Sequence, residues 1–180
     1  MVIAGKTSPA SGGEHLISHF LDMVAHQQGR ESFSWHGLQV GIGIMISACI
    51  YKRLKDFSPE QVEKRLSRRH IDYEEESKDV FFNEQAFSEK IPILRNLPQN
   101  LPPLWEEIKE QAFSLVYSLK QIREYLGKAE CPLCFEEIGV NRELARRVVI
   151  NSRYIRGRLT VLDIAAELGI LEEVAEDFLG

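Results

Sequence analysis

Apolar residues recur every three or four positions along nearly the whole chain, which commits it to packed helices rather than sheets. Leu16, Phe20, Met23 and Val24 open the pattern on one face, and no segment alternates convincingly enough to read as a strand. Dense Gly and Pro clusters fall only between the periodic segments, where they punctuate rather than interrupt. The expected fold is all-α, a multi-helix bundle. With 180 residues the chain can bury a substantial core, and it reads as one domain over residues 1–180 with no internal repeat.

The first helix should begin after Ser11-Gly12-Gly13 and fade near Gln28-Gly29. His36 opens a second, Gly37 to about Phe57, whose early half is apolar on almost every side and therefore belongs at the bundle's centre. Ser58-Pro59-Glu60 follows the grammar of an N-cap with proline in the first turn, starting a short helix that carries Val62 and Leu66. Ile71 to Asn96 is acidic and then aromatic. There Phe81, Phe82 and Phe87 should give helical contacts, with Pro92 limiting or kinking the helix. Pro98 to Pro103 reads as a loop, and Pro103 as the start of the longest helix, running through Trp105, Ile108, Ala112, Leu115, Val116, Leu119, Ile122 and Leu126 to Gly127. Asn141 can cap a further helix, Thr160 to Asp163 resembles a capping arrangement for Val161 to Leu168, and Leu171 to Phe178 forms the last.

Several function classes are disfavoured. A formal net charge of -5 draws nothing onto a polyanion, so nucleic acid is not an expected partner. The longest apolar run, Val40 to Ile50, falls far short of the roughly 20 residues of a membrane span. Met1 to Ser11 is too short and too weakly charged for a signal peptide. Cys49, Cys131 and Cys134 are too few for a disulfide framework, so a reducing, cytoplasmic setting is expected. Cys131-Pro132-Leu133-Cys134 is half a zinc knuckle without a second pair and reads as incidental. Arg142, Arg146, Arg147, Arg153, Arg156 and Arg158 lie among acidic residues, which favours a solvated or salt-bridged face over a phosphate site.

The chemistry is concentrated early in the chain. Glu14-His15-Leu16-Ile17-Ser18-His19 sets two imidazoles at i and i+4 on one helix face, directly after a glycine pair. Antiparallel packing across the following loop would return His36 to the level of His15. Two imidazoles could then converge on one cation, although a catalytic site needs at least three protein ligands and no third is evident nearby. Two ordinary helix-face histidines is the competing reading, since the motif alone is weak. His26 and His70 lack this context and read as surface or capping residues.

The stretch from Ala4-Gly5-Lys6-Thr7-Ser8-Pro9 through Ser11-Gly12-Gly13-Glu14-His15 to His19 resembles the metal-site segment of sn-glycerol-1-phosphate dehydrogenases, of the iron-containing alcohol dehydrogenase and dehydroquinate synthase-like superfamily. Trp35-His36-Gly37-Leu38-Gln39-Val40-Gly41 is similar to the second metal-site segment, and Arg156-Gly157-Arg158-Leu159-Thr160-Val161-Leu162-Asp163 to a near-terminal stretch of bacterial members. The resemblance implies the fold of the family's helical C-terminal domain. It implies His15 and His36 as ligands to Zn, Ni or Fe, a further ligand from an aspartate upstream, and His19 as a catalytic, proton-transferring residue. It also implies Lys6, Ser11 and His19 at the substrate. Ser8 stands where the family's segment more often has Arg, so phosphate recognition there would rest on Lys6.

What the resemblance implies chemically is reduction of dihydroxyacetone phosphate to sn-glycerol 1-phosphate with NAD(P)H. No Gly-rich dinucleotide loop occurs in this sequence, so NAD(P) would bind through an N-terminal α/β domain outside it, and the chain alone should not transfer hydride. Met1 begins inside what looks like an interior segment. The partner expected is therefore a missing N-terminal half or another chain, with self-association through the face left open. Two alternatives stand beside this: another metal-dependent polyol or alcohol dehydrogenase of the superfamily, and a non-catalytic helical interaction module.

Overall fold

The computed structural model describes residues 12–78 and 83–180. Its helices run in the order α1 (Gly13–Gln27), α2 (His36–Lys55), α3 (Pro59–Arg68), α4 (Tyr73–Lys78), α5 (Glu84–Arg95), α6 (Leu97–Gln111), α7 (Leu119–Lys128), α8 (Arg142–Asn151), α9 (Val161–Glu167) and α10 (Leu171–Leu179), joined by 3-10 turns at Phe113–Leu115, Glu136–Ile138 and Ser152–Ile155. Among the described residues there is no strand. The all-α bundle is thus present, and none of its helices is long and apolar enough to cross a membrane.

Local grammar explains most helix starts. Ser58 accepts from the Gln61 N–H while the Gln61 side chain accepts from the Ser58 N–H, closing a capping box around Pro59. Asn141 caps α8 by accepting from the Leu144 N–H at 2.9 Å. Asp163 closes the start of α9, its Oδ2 accepting from the Thr160 N–H at 2.8 Å and hydroxyl at 2.9 Å.

α2 is the central element. Ile42, Met45, Ile46, Ile50 and Leu54 are fully buried, and α1 packs along it through Leu16, Ile17, Phe20 and Leu21. Each such side chain contributes about 1.5–3 kcal/mol of transfer free energy. Gly43 sets the spacing of the pair: a Cβ there would fall 2.6 Å from the Glu14 carbonyl oxygen, so only glycine lets the two backbones meet.

Three segments differ from the sequence-based expectation. Pro98 to Pro103 is not a loop but the first part of α6, because Leu97, Leu101, Pro102 and Trp105 bury along one face and outweigh the donors that prolines remove. Trp105 is anchored from that face, its Nε1–H donating to the Phe57 carbonyl at 2.9 Å. The long helix expected from Pro103 to Gly127 is two. A capping box of Ser118 with Gln121 starts α7, and Gly127 lies inside that helix rather than ending it. Likewise α5 continues past Pro92 to Arg95 because Leu94 is buried. Phe81 and Phe82 lie outside the described residues, whereas Phe87 is buried and meets Tyr154 edge-on at 4.7 Å between ring centres.

A buried ionic cluster ties α5, α9 and the Ser152–Ile155 turn together. Lys90 Nζ donates to Asp163 Oδ1 at 2.9 Å and to the Arg153 carbonyl. The Arg153 guanidinium donates to Glu76 at 2.6 Å and Glu167 at 3.5 Å. At the surface, Arg142 and Arg146 on α8 grip Glu176 of α10 at 2.7 Å, the salt-bridged face expected for this arginine-rich stretch.

Candidate metal centre

α1 and α2 run antiparallel across the Gln28–Trp35 connection, and this brings His15, His19 and His36 together. Ring centres lie 5.4 Å apart for His15 and His36, 5.4 Å for His19 and His36, and 6.4 Å for His15 and His19. The convergence expected from sequence is therefore present, and His19 joins it.

Each of two rings is held by one nitrogen. His15 Nδ1 lies 3.1 Å from Glu14 Oε1, a carboxylate oxygen that can only accept, so Nδ1 carries a proton and the neutral ring has its lone pair on Nε2. Glu14 is itself positioned at the helix start, the same oxygen accepting from the Gly12 N–H at 2.9 Å. His36 Nδ1 lies 2.9 Å from Ser18 Oγ, and Ser18 donates its hydroxyl hydrogen to Gln39 Oε1 at 3.3 Å, so Ser18 accepts from His36 and, among the described residues, the Nε2 of His36 has no hydrogen-bond partner. Gln39 is fixed in turn, its amide nitrogen 3.0 Å from Asp22 Oδ1, 2.7 Å from Ser32 Oγ and 2.8 Å from the Ser34 carbonyl. Ser18 and Gln39 are fully buried. An imidazole whose Nδ1–H is held by an oxygen acceptor presents Nε2 in the form that binds divalent cations.

A second grouping overlaps the first. The ligand atoms of His19, Asp22 and His36 lie within 4.8 Å of one another, a set that could hold a metal ion. Sequence reading missed Asp22, although it follows His19 by three positions on the same helix face. The imidazole of His19 titrates below its ordinary value, chiefly because burial disfavours its charged form. The neighbouring His36, Arg156 and His15 add to this, against an opposing pull from Asp22.

A cavity of about 730 Å³ opens beside this cluster, lined by Asp22, His26 and His36 on one side and by Glu31 to Trp35 on the other. His26 is exposed, as expected, yet forms part of this wall. Trp35, 83% exposed, stands at its rim. Exposed Arg156 follows the Ser152–Ile155 turn, which supplies the charge felt by His19. Lys6 and Ser11, expected at the substrate, lie outside the described residues. Cys131 and Cys134 are free, partly buried thiols.

Comparison with known proteins gives a consistent pattern. The chain is 35% identical over 98 residues to the glycerol-1-phosphate dehydrogenase [NAD(P)+] of Methanococcus maripaludis strain C7, a match covering 54% of this chain and 29% of that protein. It is 32% identical over 131 residues to the enzyme of the same name from strain C6, covering 72% and 36% respectively. The Bacillus licheniformis protein of that name is 26% identical over 171 residues, which is 95% of this chain and 32% of its own length. The chain thus spans about a third of the length of the curated relatives it matches. No protein-family model and no solved structure matches it.

Proposed function

We propose, on the premise that the chain is one part of a protein of the glycerol-1-phosphate dehydrogenase family, that its helical bundle carries the metal- and substrate-binding half of that enzyme's active site. The reaction would be reduction of dihydroxyacetone phosphate to sn-glycerol 1-phosphate. The observation that carries this reading is the matched pair of imidazoles, His15 and His36, with both Nδ1 atoms tied to oxygen partners and, among the described residues, no hydrogen bond at either Nε2.

His15 and His36 would hold a divalent cation, with a carboxylate as third ligand; zinc, nickel and iron all suit that donor set. When bound, such an ion polarises the substrate ketone and stabilises negative charge on its oxygen. The chain's own residues do the rest. Glu14, Ser18 and Gln39 keep the two rings in register. His19, on the face it shares with His15, would move a proton to or from the carbonyl oxygen of the substrate. Arg156 would face the phosphate, a role supported by its exposed charge next to His19. The cavity beside His36 gives the substrate room. NAD(P)H would be presented by a nucleotide-binding portion outside these 180 residues, consistent with the third of the relatives' length that the chain spans.

Calorimetric titration with Zn²⁺ tests the site. One equivalent should bind, with most affinity lost in His15→Ala and in His36→Ala. If neither substitution changes the titration, the reading fails. The spacing of His19, Asp22 and His36 favours a second ligand set. That set predicts loss of affinity in Asp22→Asn and little change in His15→Ala. Titration of the metal-loaded protein with dihydroxyacetone phosphate against other polyol precursors separates the proposed substrate from that of another alcohol dehydrogenase. Absence of metal binding would instead favour a non-catalytic helical module.

A further inference from the structure

Lys64-Arg65-Leu66-Ser67-Arg68-Arg69 packs four cations and no carboxylate into the end of α3, in a chain whose formal net charge is -5. A helix C-terminus favours positive charge, but the dipole acts weakly and does not dictate where the side chains converge. Here they converge on a cleft of about 510 Å³ between α3 and the turn from α9 to α10, walled on its far side by Glu167, Leu168 and Gly169.

Two of the cations are set in place. Arg65 donates to the Leu168 carbonyl at 3.0 Å and lies over the Phe57 ring, 4.6 Å from its centre. Arg69 rests against Gly169, where a Cβ would come within 3.4 Å of its guanidinium, and the φ of +70° there keeps the position for glycine. Among the described residues, the Lys64, Arg68 and Arg69 side chains make no hydrogen bond or ion pair. The one carboxylate in the wall, Glu167, is 3% exposed and already engaged by the Tyr73 hydroxyl at 2.9 Å and by Arg153. The cleft therefore gathers four cations against a single buried carboxylate, Glu167, whose charge is shared between Arg69 and Arg153. Arginine forks match the paired oxygens of a phosphoryl group.

We propose that this cleft is an anion site that binds a phosphate ester or diphosphate through Lys64, Arg65, Arg68 and Arg69. It is separate from the candidate metal centre. His36 starts α2, and α3 follows the other end of that helix, which is 20 residues and so about 30 Å long.

Calorimetric titration of the metal-free protein with inorganic diphosphate at low salt tests the proposal, alongside sedimentation with vesicles of phosphatidylglycerol or of phosphatidylcholine alone. Saturable diphosphate binding, weakened at least tenfold in R68E/R69E and unchanged in K120E, assigns the site to a free phosphate compound. Binding to phosphatidylglycerol vesicles alone, with the same sensitivity to R68E/R69E, assigns it to a lipid headgroup. Should the double variant not fold, the exposed single substitution R68A is expected to weaken binding at least threefold. Unchanged diphosphate affinity in H36A keeps this result distinct from the metal centre, and its loss in H36A would overturn the assignment to the cleft. Failure to bind either ligand, or equal weakening in K120E, also overturns it.

Discussion

A Cβ on Gly43 would stand 2.6 Å from the carbonyl oxygen of Glu14, so these two residues fix the distance between α1 and α2 beside His15, about two turns along α2 from His36. Gly43→Ala must push the helices apart, because the obstacle is backbone and cannot rotate away. The expected cost is about 1–3 kcal/mol of stability, read from urea denaturation midpoints, together with weaker Zn²⁺ binding. Gly37→Ala, whose Cβ meets nothing within 4 Å, should cost neither.

Ser18→Ala removes the acceptor that holds His36 Nδ1 and leaves the helix otherwise intact. Zn²⁺ affinity should fall by about 10- to 100-fold, as expected for losing an outer partner of a metal-binding imidazole. Circular dichroism should show unchanged helix content, which separates this effect from unfolding.

Lys90→Met leaves Asp163 without its hydrogen-bonded cation and the Arg153 carbonyl without a donor. Removing one member of such a pair is expected to cost about 3–5 kcal/mol, measurable by chemical denaturation. Full retention of stability would show that Arg153, 4.0 Å from Asp163, suffices alone.

Glu176 is held below the usual carboxylate range, first by its hydrogen bond from Arg146 and then by that from Arg142. Because the folded value is depressed, its contribution is complete above the ordinary carboxylate pKa and is lost as pH falls through the lowered one. Protection of the α10 amides, expressed relative to their intrinsic exchange rate at each pH, should fall on acidification through that window. Glu176→Gln should flatten this dependence, and an unaltered profile would assign the acid sensitivity elsewhere.

Much of this arrangement was legible in the sequence where one residue carries one local rule. Ser58-Pro59 and Asn141 announce their helices, and the i, i+4 spacing of His15 and His19 announces a shared face. Pro98 to Pro103 misleads because proline's local cost is visible, while the burial of Leu101 and Trp105 that outweighs it depends on distant partners. Ser18 and Gln39 gave no signal, since polar residues in a helix read as surface until the packing buries them. Asp22 was within reach, lying on the face of His15 and His19, but its proximity to His36 depends on how α1 and α2 cross. The Lys90 cluster joins segments far apart in sequence and has no local signature.

The most direct test of the central claim is long-range ¹H–¹⁵N correlation of the histidine rings, recorded before and after one equivalent of Zn²⁺. Before metal, His15 and His36 should both carry their proton on Nδ1. On addition, the Nε2 signals of these two residues should shift together while those of His26 and His70 stay in place. Protonation of Nε2 in either ring of the metal-free protein, or a Zn²⁺ response confined to other histidines, would contradict the account.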